Sequence, residues 1–220
     1  MAPAGSALHT PMMRNHTTAT PDGLATVPLL DLLANRFSAS DFDPHHELDA
    51  AAVDVLLDAA RRAPSAGNSQ PWSFIAGRRG DRVHDALVRH LAPSTRMWAP
   101  RAALLIANLA HRYIDTDTAG GTEELIEYSE FAHYDLGQAV AHLTVQAASM
   151  GLSVHQFRAF DRDAVAAEFE VPTTWEVVTM AAIGYPHGDS PRVPAGGHAS
   201  STADRRSVAD VTWAAAAHGF

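Results

Sequence analysis

The 220-residue sequence contains no cysteine and no lysine. Without cysteine there is no disulfide, no thiolate nucleophile, no iron–sulfur cluster and no Cys-based zinc site. Without lysine there is no Schiff-base amine, no Walker lysine and no lysine-bound pyridoxal phosphate. All 16 basic residues are arginines, set against 25 acidic ones for a formal net charge of −9. That balance argues against a surface built for nucleic acid or anionic membranes, so neither is expected as a partner. Any anion must be held by a local arginine cluster. No apolar run approaches the roughly 20 residues of a membrane span. Residues 1–27 mix Pro, Gly, Ser, Thr and His, lack the continuous apolar stretch of a secretory signal, and read as a poorly ordered leader. A cytoplasmic location is the expectation.

What is present is an ordinary globular composition, 46% hydrophobic and 19% charged. Residues 28–220 read as one domain with a C-terminal extension. Val27 to Asn35 suggests a short helix. Leu48, Val53, Leu56, Leu57 and Ala60 fall on one helical face with Asp54, Asp58 and Arg61 opposite. Pro64 stops that helix. Trp72–Gly77 and Ala102–Leu109 read as strands, and Asp81–Leu91 as a helix between them. The longest helix is expected over Glu123–Met150, with Leu136, Val140, Leu143, Ala147 and Met150 as its apolar stripe and Gly151 as its C-terminal cap. Asp161–Phe169 reads as a short helix with Asp161 as N-cap. Trp175–Ile183 is a strand, Tyr185–Asp204 a Pro/Gly/Ser/His-rich excursion, and Ser207–Ala217 resumes some order. Helices and strands alternate, giving an α/β or α+β class.

The standard motifs are absent: there is no HExxH, Walker loop, GxGxxG, GxSxG or EF-hand pattern. The thirteen histidines are scattered and their spacing supports no metal site. Two segments carry chemistry. Pro64-Ser65-Ala66-Gly67-Asn68-Ser69-Gln70-Pro71-Trp72 joins a helix to a strand and is dense in small hydrogen-bonding residues, beside a glycine that lets a ligand approach the backbone. It also reads as a plain connector with turn chemistry. Arg36-Phe37-Ser38-Ala39-Ser40 offers an arginine fork, two hydroxyls and turn amides of the kind that cradle phosphate. Alone, it reads better as a solvated surface turn, and Arg205-Arg206 as solvated charge.

Together, these segments form an ordered pattern. Arg36-x-Ser38-x-x-x-Phe42-Asp43 is followed by an amphipathic helix and by Pro64-Ser65-x-x-Asn68-Ser69-Gln70-Pro71-Trp72-x-Phe74. Then come Asp135-Leu136-Gly137 with Ala148-Ser149-Met150-Gly151-Leu152, and finally Arg205-Arg206-x-x-x-Asp210-Val211. The pattern resembles the FMN-dependent nitroreductase family from Asn35 to Val211, about four-fifths of the chain.

That resemblance implies an α+β sandwich with a mostly antiparallel sheet flanked by helices, in an intertwined homodimer. It makes the Leu136 to Met150 stripe a candidate interface as well as core. It places FMN in a groove between subunits, with Arg36, Phe37, Ser38 and Ser40 at the phosphate and Arg205 and Arg206 closing on it. Pro64, Ser65 and Asn68 would lie along ribityl and ring. The stretch His155-Gln156-Phe157-Arg158-Ala159, read as a loop, would cover the other ring face and offer a backbone N–H to N5. Arg96 would lie near the pyrimidine end. No side chain need act as covalent catalyst, because flavin N5 is the reactive centre. NAD(P)H would reduce it and a small organic acceptor, such as a nitroaromatic or quinone, would reoxidise it in a ping-pong cycle. Tyr128, Phe131 and Tyr134 are candidate acceptor-pocket residues; they also read as core aromatics.

The chain departs from the family pattern at two places. Ser40 stands where a second basic residue is usual, and Arg158 where an acid is usual. Other readings therefore stay open: a flavin-binding protein with little reductase activity, an FMN-dependent oxidase or dehydrogenase that tailors a metabolite, or an anion-binding module without flavin.

Overall fold

Seven consecutive residues, Leu104 to Ala110, are buried, a condition met only by a central strand covered on both faces. The computed structural model describes residues 28–116, 124–127, 130–187 and 205–213. Strands β1 (Trp72–Arg78), β2 (Leu104–His111), β5 (Ser153–Phe157) and β6 (Trp175–Gly184) form one antiparallel sheet in the order β1-β2-β6-β5. Strands β3 (Tyr113–Thr116) and β4 (Glu124–Glu127) form a separate antiparallel pair.

Alternation along β2 sorts its side chains between two cores. Leu104, Ile106 and Ala110 pack with α2 (Ala50–Ala60) and α5 (Ala132–Ser149) through Leu56, Leu136, Val140 and Leu143. Leu105, Ala107 and Leu109 face α3 (Arg82–Arg89) and α6 (Arg162–Glu168), packing with Leu87, Phe160 and Val165. The result is the expected α+β sandwich, a sheet with helices on both faces.

Local chemistry fixes the helix ends. Asp49, Asp81 and Asp161 accept from the N–H groups of Ala52, His84 and Ala164 at 2.7, 2.8 and 2.9 Å, each cap being worth about 1 kcal/mol. At the other end of α5, Gly151 adopts φ +76°. There the Leu152 N–H donates to the Ala147 carbonyl at 2.9 Å and the Gly151 N–H to Ala148 at 3.1 Å. That is a Schellman cap, which needs the left-handed residue that glycine supplies.

Three expectations are corrected. The long helix starts at Ala132, and Glu124–Glu127 is strand β4 rather than helix. The Leu136, Val140, Leu143 and Ala147 stripe is buried in the chain's own core, with Met150 partly buried against it. Residues 153–157 form strand β5, so only Arg158 and Ala159 of the expected covering stretch lie in a loop. The expected helix near Leu30 shrinks to α1 (Asp31–Ala34), which falls in a separate compact unit ending at Asn35. Near the C-terminus, α7 (Val208–Val211) is a single turn with Val208 and Trp213 exposed. No helix among the described residues is long and apolar enough to cross a membrane.

Candidate cofactor site

The segment carrying Arg36 is anchored by Phe42, fully buried against Gly184 and facing the Trp98 ring at 6.3 Å. From there the chain runs back along β5 and is clamped by one hydroxyl. Ser153 Oγ accepts the Ala39 N–H at 2.9 Å and donates to the Phe37 carbonyl at 2.9 Å. Two residues on, the His155 Nδ1–H donates to the Ala39 carbonyl at 2.8 Å while its ring stacks on Trp98 at 4.4 Å. Burial holds the His155 ring below the ordinary histidine range, against the pull of that hydrogen bond. Arg36 Nη1 points at Ser38 Oγ, 3.4 Å away, so guanidinium and hydroxyl share one patch. Ser40 follows, half-buried.

The end of β5 closes on the same region. Gln156 and Arg158 are exposed, and Phe157 turns inward to meet Trp98 and Phe160 edge-on at 5.3 and 6.2 Å. The Ala159 carbonyl accepts from Thr95 Oγ1 at 2.7 Å and from the Ala92 N–H at 3.0 Å, tying α4 (Pro93–Arg96) to this corner. Arg96 is therefore nearby, with its guanidinium donating to the carbonyls of Arg89 and Leu91 at 2.7 and 3.0 Å. Those bonds cap the C-terminus of α3, where a cation suits the exposed carbonyls.

The Pro64–Pro71 segment forms a strained, outward-facing loop. Gly67, Asn68 and Gln70 all take left-handed φ, at 58°, 57° and 50°. Two of these residues carry a Cβ, a conformation that persists only where the surroundings fix it. Two hydrogen bonds do so. Ser65 Oγ accepts the Gln70 N–H at 3.0 Å, and buried Asp135 accepts the Ala66 N–H at 2.9 Å. Pro64 and Asn68 are exposed. Beside Asp135 on α5, Phe131 and Tyr134 are 48% and 66% exposed. These aromatics are not core, while Tyr128 lies outside the described residues. At this same end of the sheet, Glu176 meets Arg112, His133 and Arg162 at 3.0, 3.0 and 3.2 Å. Burial raises its carboxyl, but the Arg112 hydrogen bond and the His133 pair outweigh that and hold it below the usual range.

One chain thus assembles two half-sites. Arg36, Phe37, Ser38, Ser40, Arg96 and Gln156–Ala159 gather at β5; Pro64, Ser65, Asn68, Phe131 and Tyr134 gather where β1 begins. Arg205 and Arg206 lie exposed ahead of α7. In register, Ser153 lies level with Gly184, next to the row of Leu104 and Arg78, at the opposite end of β1 from Trp72. The half-sites therefore lie on opposite edge strands, about 14 Å apart across three strand spacings; Ser153 is offset from the Trp72 row by about 20 Å along the strands, whereas Phe157, level with Met180, Ala107 and Ile75, is offset by about 10 Å. Ser153, His155 and Asp135 hold these loops, and no local sequence signal marks them for that work.

An antiparallel sheet sandwiched by helices, carrying an arginine segment suited to an anion and a strained polar loop, defines an α+β domain with a candidate ligand site. A model of the nitroreductase family matches residues 33–185. The chain is 31% identical over 161 residues to 5,6-dimethylbenzimidazole synthase of Rhodospirillum rubrum, covering 66% of this chain and 75% of that protein. Protein DrgA of Synechocystis is 27% identical over 187 residues, 73% of this chain and 85% of its own. Among solved structures, an oxidoreductase containing FMN superposes with a TM-score of 0.66 at 24% identity, over 78% of this chain and 83% of that one. A nitroreductase family protein of Clostridium difficile superposes at 0.62 and 18% identity, over 84% and 97%. The chain belongs to the nitroreductase family.

Proposed function

We propose that this protein is an FMN-dependent oxidoreductase that takes electrons from NAD(P)H and passes them to a small organic acceptor. The observation that carries the reading is the Ser153 clamp. It brings the Arg36–Ser40 segment against the strand that delivers Gln156–Ala159, joining a phosphate-type patch to exposed backbone at the strand end. Bound there, FMN supplies two-electron chemistry at N5. Arg36 and Ser38 would hold its phosphate, with Arg205 and Arg206 adding charge, since arginine forks suit a phosphate dianion. Gln156–Ala159 would border the ring and offer backbone N–H groups. Pro64, Ser65 and Asn68 would border it from a second side, with Phe131 and Tyr134 beside them at the acceptor's approach. A flavin bordered by both half-sites would draw one from each of two chains, because within one chain they stand on opposite edge strands with β2 and β6 between them. The working form is accordingly a homodimer.

The test is the visible absorption spectrum of the purified protein before and after anaerobic addition of NADH or NADPH. Flavin bands that bleach with either nucleotide are the expected result. A colourless protein that also refuses added FMN overturns the cofactor assignment. A second reading is favoured by Ser40 and Arg158, which alter the charge beside the flavin. In it, the same cofactor runs in the oxidative direction on a metabolite, with oxygen as acceptor. Flavin bands that persist with both nucleotides and bleach only with such a metabolite would select it.

A further inference from the structure

Asp135 is the polar residue most completely enclosed beside either half-site, at 2% exposure. It lies in the first turn of α5, sixty-nine residues from the loop it serves. Its Oδ2 accepts the backbone N–H of Ala66 at 2.9 Å, and its Oδ1 lies 3.4 Å from Gln138 Nε2. Ala66 sits between Ser65 and the left-handed pair Gly67 and Asn68. Among the described residues the loop's other hydrogen bonds do not reach the helical layer: Gln70 N–H to Ser65 Oγ, Gln70 Nε2 to the Asn68 carbonyl and the short backbone turns are internal to it, and the Pro71 carbonyl accepts the His111 N–H of β2 at 3.0 Å. A loop with three left-handed residues and exposed side chains relaxes unless held from outside. A buried carboxylate accepting a backbone N–H is a strong holder, because leaving either group unpaired away from water is costly.

We propose that Asp135 is a positioning residue for the cofactor: through the Ala66 N–H it fixes the shape in which Pro64, Ser65 and Asn68 meet the ligand. This rests on the flavin role proposed for that loop. The arrangement also sets the roles inside the loop. Ser65 Oγ uses one of its two lone pairs on the Gln70 N–H, and its O–H can donate outward to a ligand oxygen or ring nitrogen. The strain thereby preorganises the loop before the ligand arrives, which lowers the ordering cost of binding.

The experiment compares the full-length wild type with three variants in two measurements: the FMN dissociation constant and hydrogen exchange of the peptide spanning residues 63–72. Wild-type FMN binding comes first, and its absence would count against the cofactor reading itself rather than against Asp135. Asp135→Leu removes the acceptor. Asp135→Asn keeps an oxygen that can accept the Ala66 N–H. Ala66→Pro deletes the donor without touching α5. It suits the first position of a short helix, and the extended Ser65 (φ −145°, ψ 153°) tolerates a following proline. Asp135→Leu and Ala66→Pro should each raise exchange in that peptide alone and weaken FMN binding about tenfold, with Asp135→Asn within about threefold of wild type. Unchanged FMN affinity in Ala66→Pro overturns the proposal, whether or not Asp135→Leu folds. So does exchange that rises throughout the chain in Asp135→Leu and Asp135→Asn alike, because that result makes Asp135 a residue of the fold and not of the loop.

Discussion

Ser153 and Ala39 are joined by a buried hydrogen bond that spans 114 positions of sequence, the Ala39 N–H donating to Ser153 Oγ at 2.9 Å. The same hydroxyl donates to the Phe37 carbonyl, so one side chain satisfies a backbone donor and a backbone acceptor of the Arg36–Ser40 segment. Ser153→Ala leaves both groups without that partner. The expected cost is about 1–3 kcal/mol of stability, read as a lower midpoint in urea unfolding. Weaker retention of FMN should accompany it. Loss of stability with undiminished FMN affinity would show that the clamp serves the fold only.

Arg36→Ala tests the phosphate assignment directly. The guanidinium is half-buried and faces Ser38 across 3.4 Å. Its removal should leave folding nearly untouched and weaken FMN binding by about 1.5–3 kcal/mol, the worth of a charge-assisted hydrogen bond. Equilibrium dialysis against FMN and against riboflavin separates the two ends of the ligand. The loss should be confined to FMN, and an equal loss for riboflavin would move Arg36 away from the phosphate.

Because the half-sites stand at opposite edges of the sheet, FMN stoichiometry should follow association. Sedimentation of the flavin-loaded protein is expected to show two chains for two flavins. A monomer carrying one tightly held FMN would overturn the two-chain groove.

How much of this was legible in the sequence depended on range. Asp161 as N-cap and Gly151 as C-terminal cap were readable because a cap is decided within about four residues. The core stripe on α5 was readable from its period. Strand β5, by contrast, is five residues whose stability comes from pairing with β6 across a helix, and Ser-Val-His-Gln-Phe carries no strong signal of its own. Leu125 and Ile126 misled because an apolar pair ahead of a helical pattern extends the period, whereas their pairing with β3 is set from outside. The site split the same way. Polar loop composition announced the chemistry of residues 36–40 and 64–72. Nothing local announced that Ser153 and Asp135 hold those loops, or that the loops lie at opposite edges of one sheet.

Gly77 marks the closest approach of α3 to β1. A Cβ built there would meet His84 N and Cα at 2.3 and 2.6 Å, both backbone atoms that cannot swing away. Gly77→Ala must therefore push the helix off the strand, at a cost of about 1–3 kcal/mol for overpacking. Thermal unfolding checks this. Gly137→Ala serves as the contrasting control, since a Cβ on that exposed α5 residue meets nothing within 4 Å.

His84 itself should make stability fall with acid. Its ring is 4% exposed, and burial lowers its pKa below the ordinary 6.5, outweighing the opposing pull of Asp85 and Asp81, with Arg79 adding to the depression. The unfolded chain takes up a proton at the ordinary value while the folded chain does not. Stability from the neutral ring is thus fully present above pH 6.5 and is lost as pH falls through the lower folded value. Below that second point both states are protonated and the slope from this residue vanishes. His155 is shifted the same way, mainly by burial, and adds to the same window. His84→Leu should therefore flatten the dependence of unfolding midpoint on pH just below 6.5 without abolishing it, the remainder belonging to His155 and, in the more acidic carboxylate range, to groups such as Glu176. If the variant keeps the full wild-type slope, proton uptake by His84 is not what couples acid to unfolding, and α3 must be losing its hold by another route.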